Sequence, residues 1–177
     1  MFQTRPIQLE DTPLLHRLYT QSQRYFEIIA APMPLLHDVE HELRTALGDP
    51  RRHLEFIESL EHHEPLGYLD LKFDYPQAGD ATINLLLVAE PFQASGVGSW
   101  AARSLELRLQ NGDLARSRRV QRLLAGIYGD NPGAVRFWQR LGYQFAVDAR
   151  PVLSWYAKTL ESSGSGVREI VQIRAER

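Results

Sequence analysis

The stretch Ile83 to Trp100, INLLLVAEPFQASGVGSW, restricts what this chain can fold into more than any other. Ile83 to Val88 is apolar except for Asn84, short enough for a buried strand and too short for most helices. Pro91 punctuates the break that follows. Gln93-Ala94-Ser95-Gly96-Val97-Gly98 then leads into a helical pattern, because Val97, Ala101, Leu105 and Leu109 recur every four residues as one apolar stripe. The unit is strand, glycine loop, helix. A helix leaves the N–H groups of its first turn unpaired and carries partial positive charge there, and glycines let a ligand come close to the backbone. Such a loop suits phosphate or pyrophosphate; an ordinary tight turn is the competing account.

Two known phosphate motifs fit poorly. Gly96-x-Gly98-x-x-Ala101 matches the dinucleotide fingerprint, which wants an acidic residue about 20 positions on, where Arg118 and Arg119 stand. A P-loop is excluded because no Gly-Lys-Ser/Thr follows the glycines. A third pattern fits. Gln93, Gly96 and Gly98 after an apolar strand match Gln/Arg-x-x-Gly-x-Gly/Ala, and Asn131-Pro-Gly-Ala134-Val-Arg-Phe137-Trp138-Gln-Arg-Leu-Gly142-Tyr143 matches a second block, Asn-x-x-Ala-x-x-aromatic-aromatic ending in Gly-Phe or Gly-Tyr. In this order the two blocks resemble the GNAT superfamily of N-acetyltransferases. The resemblance covers Leu66 to Val147 well and the N-terminal third in outline.

Length and composition bound the rest. A chain of 177 residues suits one domain, here taken as 1–177, with no internal repeat and no clear boundary. The formal net charge of -2 suggests no broad nucleic-acid footprint. Without cysteine there is no disulfide, thiol nucleophile or Cys-ligated metal. No apolar run is long enough to span a membrane, and the start MFQTRPIQLED lacks a signal-peptide core, so a cytoplasmic protein is expected. A homodimer is among the states the sequence allows.

The order of elements follows from pattern. Phe2 to Leu9 is a first strand; Asp11 or Thr12 caps a helix running to about Phe26; Ile28 to Leu36 is a packed loop; a helix covers Leu36 to Leu47. His53 to Ile57 and Pro65 to Phe73 are strands, the second half-buried, with Leu69, Leu71 and Phe73 inward and Tyr68, Asp70 and Lys72 outward. After the helix from Val97 come a basic segment with Arg116, Arg118, Arg119 and Arg122, a strand over Leu123 to Ile127, a helix capped by Asn131, and a strand through Tyr143, Phe145 and Val147. The basic segment faces either solvent or the adenosine end of the acetyl-CoA that the resemblance implies. Ser154 to Leu160 and Val167 to Ile173 suggest a closing hairpin, or the Ser/Gly piece between them starts a tail. The pattern is α/β, a mixed central β-sheet flanked by helices, and the resemblance implies the same GNAT-like single-domain fold.

The resemblance implies acetyl transfer from acetyl-CoA to a primary amine, with no metal. The strand edge at Leu86, Leu87 and Val88 then pairs with the pantetheine arm. The N–H groups of Gln93, Ala94, Ser95, Gly96, Val97, Gly98 and Ser99 hold the pyrophosphate. Asn131 contacts the pantetheine, caps its own helix, or does both. The family often has tyrosine where Trp138 stands; an indole is a donor only and cannot supply the leaving sulfur with a proton, but it can wall the thioester site. Asp70, Glu58 and Glu90 are base candidates by position, each also plausible as a solvated carboxylate. Tyr25, Phe26 and Met33, in the segment over the thioester, are candidate acceptor contacts, with core packing as the alternative. The acceptor is a small-molecule or peptide amine. Competing readings are a non-enzymatic acyl-CoA-binding module and transfer of a longer acyl group.

His37-x-x-Glu40-His41 also matches a zinc-protease signature. Its polar flanks fit a solvated helix face, and no third helical ligand is evident. His16, His53, His62 and His63 suggest no site.

Overall fold

The computed structural model describes residues 1–114, 119–150 and 153–160. The elements are β1 (Phe2–Pro6), α1 (Thr12–Thr20), α2 (Gln23–Ile28), α3 (Leu36–Gly48), β2 (Arg52–Ser59), β3 (Pro65–Phe73), β4 (Asp80–Val88), α4 (Val97–Asn111), β5 (Arg122–Tyr128), α5 (Pro132–Arg140), β6 (Gln144–Arg150) and β7 (Leu153–Thr159). One seven-stranded sheet has the order β1-β2-β3-β4-β5-β7-β6. Neighbours are antiparallel except β4 and β5, the parallel pair. A parallel pair needs a crossover, and α4 supplies it.

Each face of the sheet has its own core. Beneath α4 and α5 lie Leu69, Leu71, Ile83, Leu105, Leu123 and Trp138; beneath α1–α3 lie Leu18, Phe26, Val39, Leu43, Phe56, Tyr68 and Leu87. The stripe on α4 is buried as its spacing requires, with Val97, Ala101, Leu105 and Leu109 at 4% exposure or less. Gly112 ends α4 at φ 79, and Asn131 caps α5 by accepting the Ala134 N–H at 3.0 Å.

Three expectations change. The helix from Thr12 breaks at Thr20, because the Thr20 and Ser22 hydroxyls bond back to the Arg17 and Leu18 carbonyls and the Gln21 carbonyl accepts from Glu90 N. β1 stops at Pro6. β3 is buried on both faces, with Tyr68 and Asp70 each 4% exposed, since α1 and α3 cover the side taken as outward. At the C-terminus β7 pairs with both β5 and β6. The Val167 to Ile173 strand, and Arg116 and Arg118 of the basic segment, lie outside the described residues.

Glu55 ties α4 to the sheet. It is 3% exposed, accepts both ends of the Arg108 fork at 2.8 and 2.7 Å, and meets His53 Nε2 at 2.8 Å. Burial alone would raise its pKa; Arg108 and His53 outweigh that and hold it at about 2. A depressed carboxyl contributes its stability above the unfolded pKa and loses it as pH falls through the folded one. The contribution, on the order of 3 kcal/mol at neutral pH, fades between about pH 4.5 and about pH 2. Urea unfolding at neutral and acid pH should show Glu55→Gln less stable than wild type at neutral pH and less sensitive to acid. Parallel losses in both proteins would remove Glu55 as the source.

Candidate active site

β4 and β5 part company. They pair only from Asp80–Arg122 to Ile83–Ala125, then β4 runs on to Val88 and β5 to Tyr128 without pairing to each other. The cause is a bulge: β3 sets Leu71 against Ile83 and Asp70 against Leu85, so Asn84 is an extra residue that bends β4. Asn84 and Leu85, adjacent in sequence, consequently both line a cavity on the α1–α3 face, whereas Ile83 sits in the opposite core. Ala89 N donates to Leu66 O at 3.0 Å, which fixes the alternation. The peptide groups of Leu87 face β3; those of Leu86 and Val88 face the gap. Gln93 Nε2 donates to Val88 O at 2.9 Å, so the Gln93 side chain shapes the loop from within.

The gap leads to the N-terminus of α4. Ala94 and Gly96 have φ 59 and 88, and Ser95 Oγ bonds to Phe92 O, folding the loop into a tight exposed turn. Gln93, Ala94, Ser95 and Gly96 are exposed, Gly98 and Ser99 half-buried, and Val97 anchors the turn in the core. A Cβ on Gly98 would lie 3.5 Å from Phe137 and 3.6 Å from Val88, so this glycine keeps the passage between them open. Phe137, not its neighbour, is the aromatic facing Gly98. Trp138 is 5% exposed and packs at 4.8 Å from the Tyr143 ring, inside the core. Asn131 is half-buried, its Oδ1 engaged as the α5 cap.

The cavity on the other face holds about 430 Å³ and abuts the gap at Asn84, Leu85 and Tyr128. Tyr19, Tyr25, Tyr68 and Tyr75 line it with Glu42, Arg52, Asp70 and Lys72. Arg52 grips both Asp70 oxygens, Nε at 3.1 Å and Nη2 closer, and Asn84 Nδ2 reaches Asp70 at 3.5 Å. Burial raises the phenol pKa values of Tyr19, Tyr25 and Tyr68, that of Tyr25 to about 12, so all three stay protonated at neutral pH. The wall carrying Tyr25 is seated by Gly129, where φ is 65 and a Cβ would come 2.4 Å from the Ile28 carbonyl oxygen.

The expected residues therefore separate. Asp70 and Tyr25 lie on the lining. Phe26 sets its ring edge against Tyr19 at 5.5 Å within the core, and Met33 packs on the same core. Glu58 is at the far end of β2 from Arg52, roughly 20 Å along the strand, and is 3% exposed with Arg5 Nε on it at 2.9 Å; a base role for it is withdrawn. Glu90 accepts Arg24 N at 2.8 Å, binding the start of α2 to the loop after β4, a structural duty. Tyr19, Tyr68, Glu42, Arg52, Lys72 and Tyr128 were missed. The usable signal was the row of hydrogen-bonding side chains on one face of β3. His37 and His41 are exposed on α3, His37 beside Asp38 at 3.2 Å, and among the described residues no group of three or more His, Asp or Glu could hold a metal.

The strand, glycine loop and helix implied by the first sequence block are β4, the turn from Gln93 to Gly96, and α4; the bulge and the parting of β4 from β5 are features the structure adds. The sequence model of the acetyltransferase (GNAT) family matches residues 15–143. The chain belongs to the GNAT acetyltransferase family. An acetyltransferase from Thermus thermophilus is similar at 39% identity and TM-score 0.82, over 90% of this chain and 97% of that one. An aminoglycoside acetyltransferase in complex with coenzyme A shares the fold at 18% identity and TM-score 0.71, over 90% and 95%. A spermidine N-acetyltransferase from Vibrio cholerae, in complex with coenzyme A and spermine, does so at 13% and 0.68, over 91% and 96%. No curated protein sequence matches significantly. This GNAT protein is an acyltransferase that draws on acyl-coenzyme A. Among its described residues no helix is long and apolar enough to cross a membrane.

Gly98 separates coenzyme binding from folding. Gly98→Ala adds a methyl at ordinary contact distance and should fold and bind coenzyme A, whereas Gly98→Glu puts a carboxylate into the passage and should lose at least about tenfold in affinity. Calorimetric titration with coenzyme A checks both; unchanged affinity in Gly98→Glu would place the coenzyme elsewhere.

Proposed function

We propose that this GNAT enzyme transfers an acetyl group from acetyl-CoA to a primary amine of a small molecule or peptide, as a single domain over residues 1–177. The observation that carries the reading is the parting of β4 and β5, with the α4 N-terminus at one end and the tyrosine-lined cavity at the other. The chain's own groups fit the coenzyme. The peptide groups of Leu86 and Val88 suit an extended arm rich in amides, as an added strand would. The exposed turn from Gln93 to Ser99 offers backbone N–H groups and a helix dipole to the pyrophosphate. Phe137 faces that passage from α5, with Asn131 at the head of the helix and Trp138 supporting Phe137 from the core at 4.9 Å.

The coenzyme supplies an activated acyl thioester. The cavity brings a neutral amine to it past Asn84, Leu85 and Tyr128, and the nitrogen attacks the carbonyl as the sulfur leaves. A thiol pKa is about 8.5, so the thiolate needs little acid help and the tryptophan at 138 does not bar turnover. With both oxygens in the Arg52 fork, Asp70 orients the lining; the amine's proton passes to water. The lack of cysteine in 177 residues supports a reducing, cytoplasmic setting.

An amine panel with mass detection, run with acetyl, propionyl and butyryl donors, tests the reading. Acetylated product with coenzyme release is expected for at least one primary amine, fastest with the acetyl donor and faster as pH rises toward the amine pKa of about 10. Coenzyme binding without turnover across the panel would overturn transfer in favour of a binding module.

A further inference from the structure

We propose that Glu42 anchors a second, non-reacting ammonium group, making the preferred acceptor a diamine or larger polycation. The proposal rests on the amine-acceptor reading above. Four charged side chains line the cavity. Arg52 is paired with Asp70, and Lys72 with Asp49 at 3.3 Å. Among the described residues Glu42 alone of the four has no ion-pair partner. Both cations being engaged, the cavity has no free positive group for an anionic acceptor.

The surroundings of Glu42 fit the same chemistry. Glu42 is exposed on α3 and shares the cavity lining with Tyr19, Tyr25 and Tyr68. Among the described residues these three hydroxyls have no hydrogen-bond partner. None of the three oxygens is sealed in the core, so they open onto the cavity, where a ligand can meet them. An ammonium brings three donors and no acceptor, and a carboxylate with phenol oxygens and ring faces answers that need. Glu42 stands on α3, whereas the amine to be acylated enters at Asn84 and Leu85 on β4. The cavity thus has a reacting end and a charge-holding end, and a volume of about 430 Å³ suits a small molecule.

Cadaverine and pentylamine, which differ by one terminal amine, are the probes. Wild type should use cadaverine at least about tenfold more efficiently in kcat/KM, the size of one hydrogen bond to a charged group. Glu42→Gln should remove that advantage through KM and leave pentylamine unchanged; Glu42→Asp should restore part of it. Equal use of the two amines by wild type, or a Glu42→Gln loss that falls on both alike, overturns the proposal. If neither amine is acetylated, calorimetric binding of cadaverine decides. Binding that Glu42→Gln abolishes supports the anchor, leaving the transfer reading to the amine panel, and binding that is absent or indifferent to Glu42 overturns the anchor.

Discussion

Past Ile83, β4 has a strand on one side only, in the middle of a seven-stranded sheet. Backbone N–H and C=O groups inside a protein must be satisfied, and an interior strand normally meets that need with two neighbours. The bulge at Asn84 breaks the rule once. It turns Leu86 and Val88 toward a gap, and the Gln93 side chain takes up the Val88 carbonyl. What remains is a row of hydrogen-bonding groups held by β3 in extended geometry, a template already ordered before a ligand arrives. Binding an extended, amide-bearing arm there costs the protein little ordering entropy.

The same bulge joins the two faces of the sheet. A regular strand would send Ile83 and Leu85 to one side; the extra residue puts Ile83 under α4 and α5 and opens Leu85, with Asn84, to the α1–α3 face. The gap therefore touches both the helix that begins at the glycine loop and the cavity of tyrosines. Gly129 completes the join, since any side chain there would push against the Ile28 carbonyl and lift the α2 wall off the end of β5.

Local signals were the legible part. The four-residue stripe on α4, the Asn131 cap and the Gly112 stop act within one helix, and sequence spacing reports them directly. The parallel β4–β5 unit followed from strand, loop and helix in succession. Less legible was anything set by what packs on top. Tyr68, Asp70 and Lys72 alternate with Leu69, Leu71 and Phe73 as a solvated face does, yet α1 and α3 roof that face and make it the cavity floor. Glu58 looked available because its partner, Arg5, comes from a strand more than fifty residues earlier. Phe137 and Trp138 could not be ranked from spacing, because adjacent helical residues point about 100° apart and only the rotation of α5 decides which meets Gly98.

That dependence on packing gives Glu90 its meaning. Its carboxylate accepts the Arg24 N–H at the start of α2, and its own N–H donates to the Gln21 carbonyl at 3.0 Å. Two bonds thus fasten the α1–α2 junction to the first residues after β4, three positions before Gln93. A helix of six residues has little stability of its own. Tyr25, on that helix, is placed by its tethers: Glu90 at one end and the Ile28–Gly129 contact at the other. The segment forming the proposed phosphate turn and the segment forming the proposed acceptor wall are therefore held to each other through Glu90. Ordering one by a ligand restrains the other, and the acceptor cavity takes its shape from the same stretch, Ile83 to Trp100, that dominates the sequence.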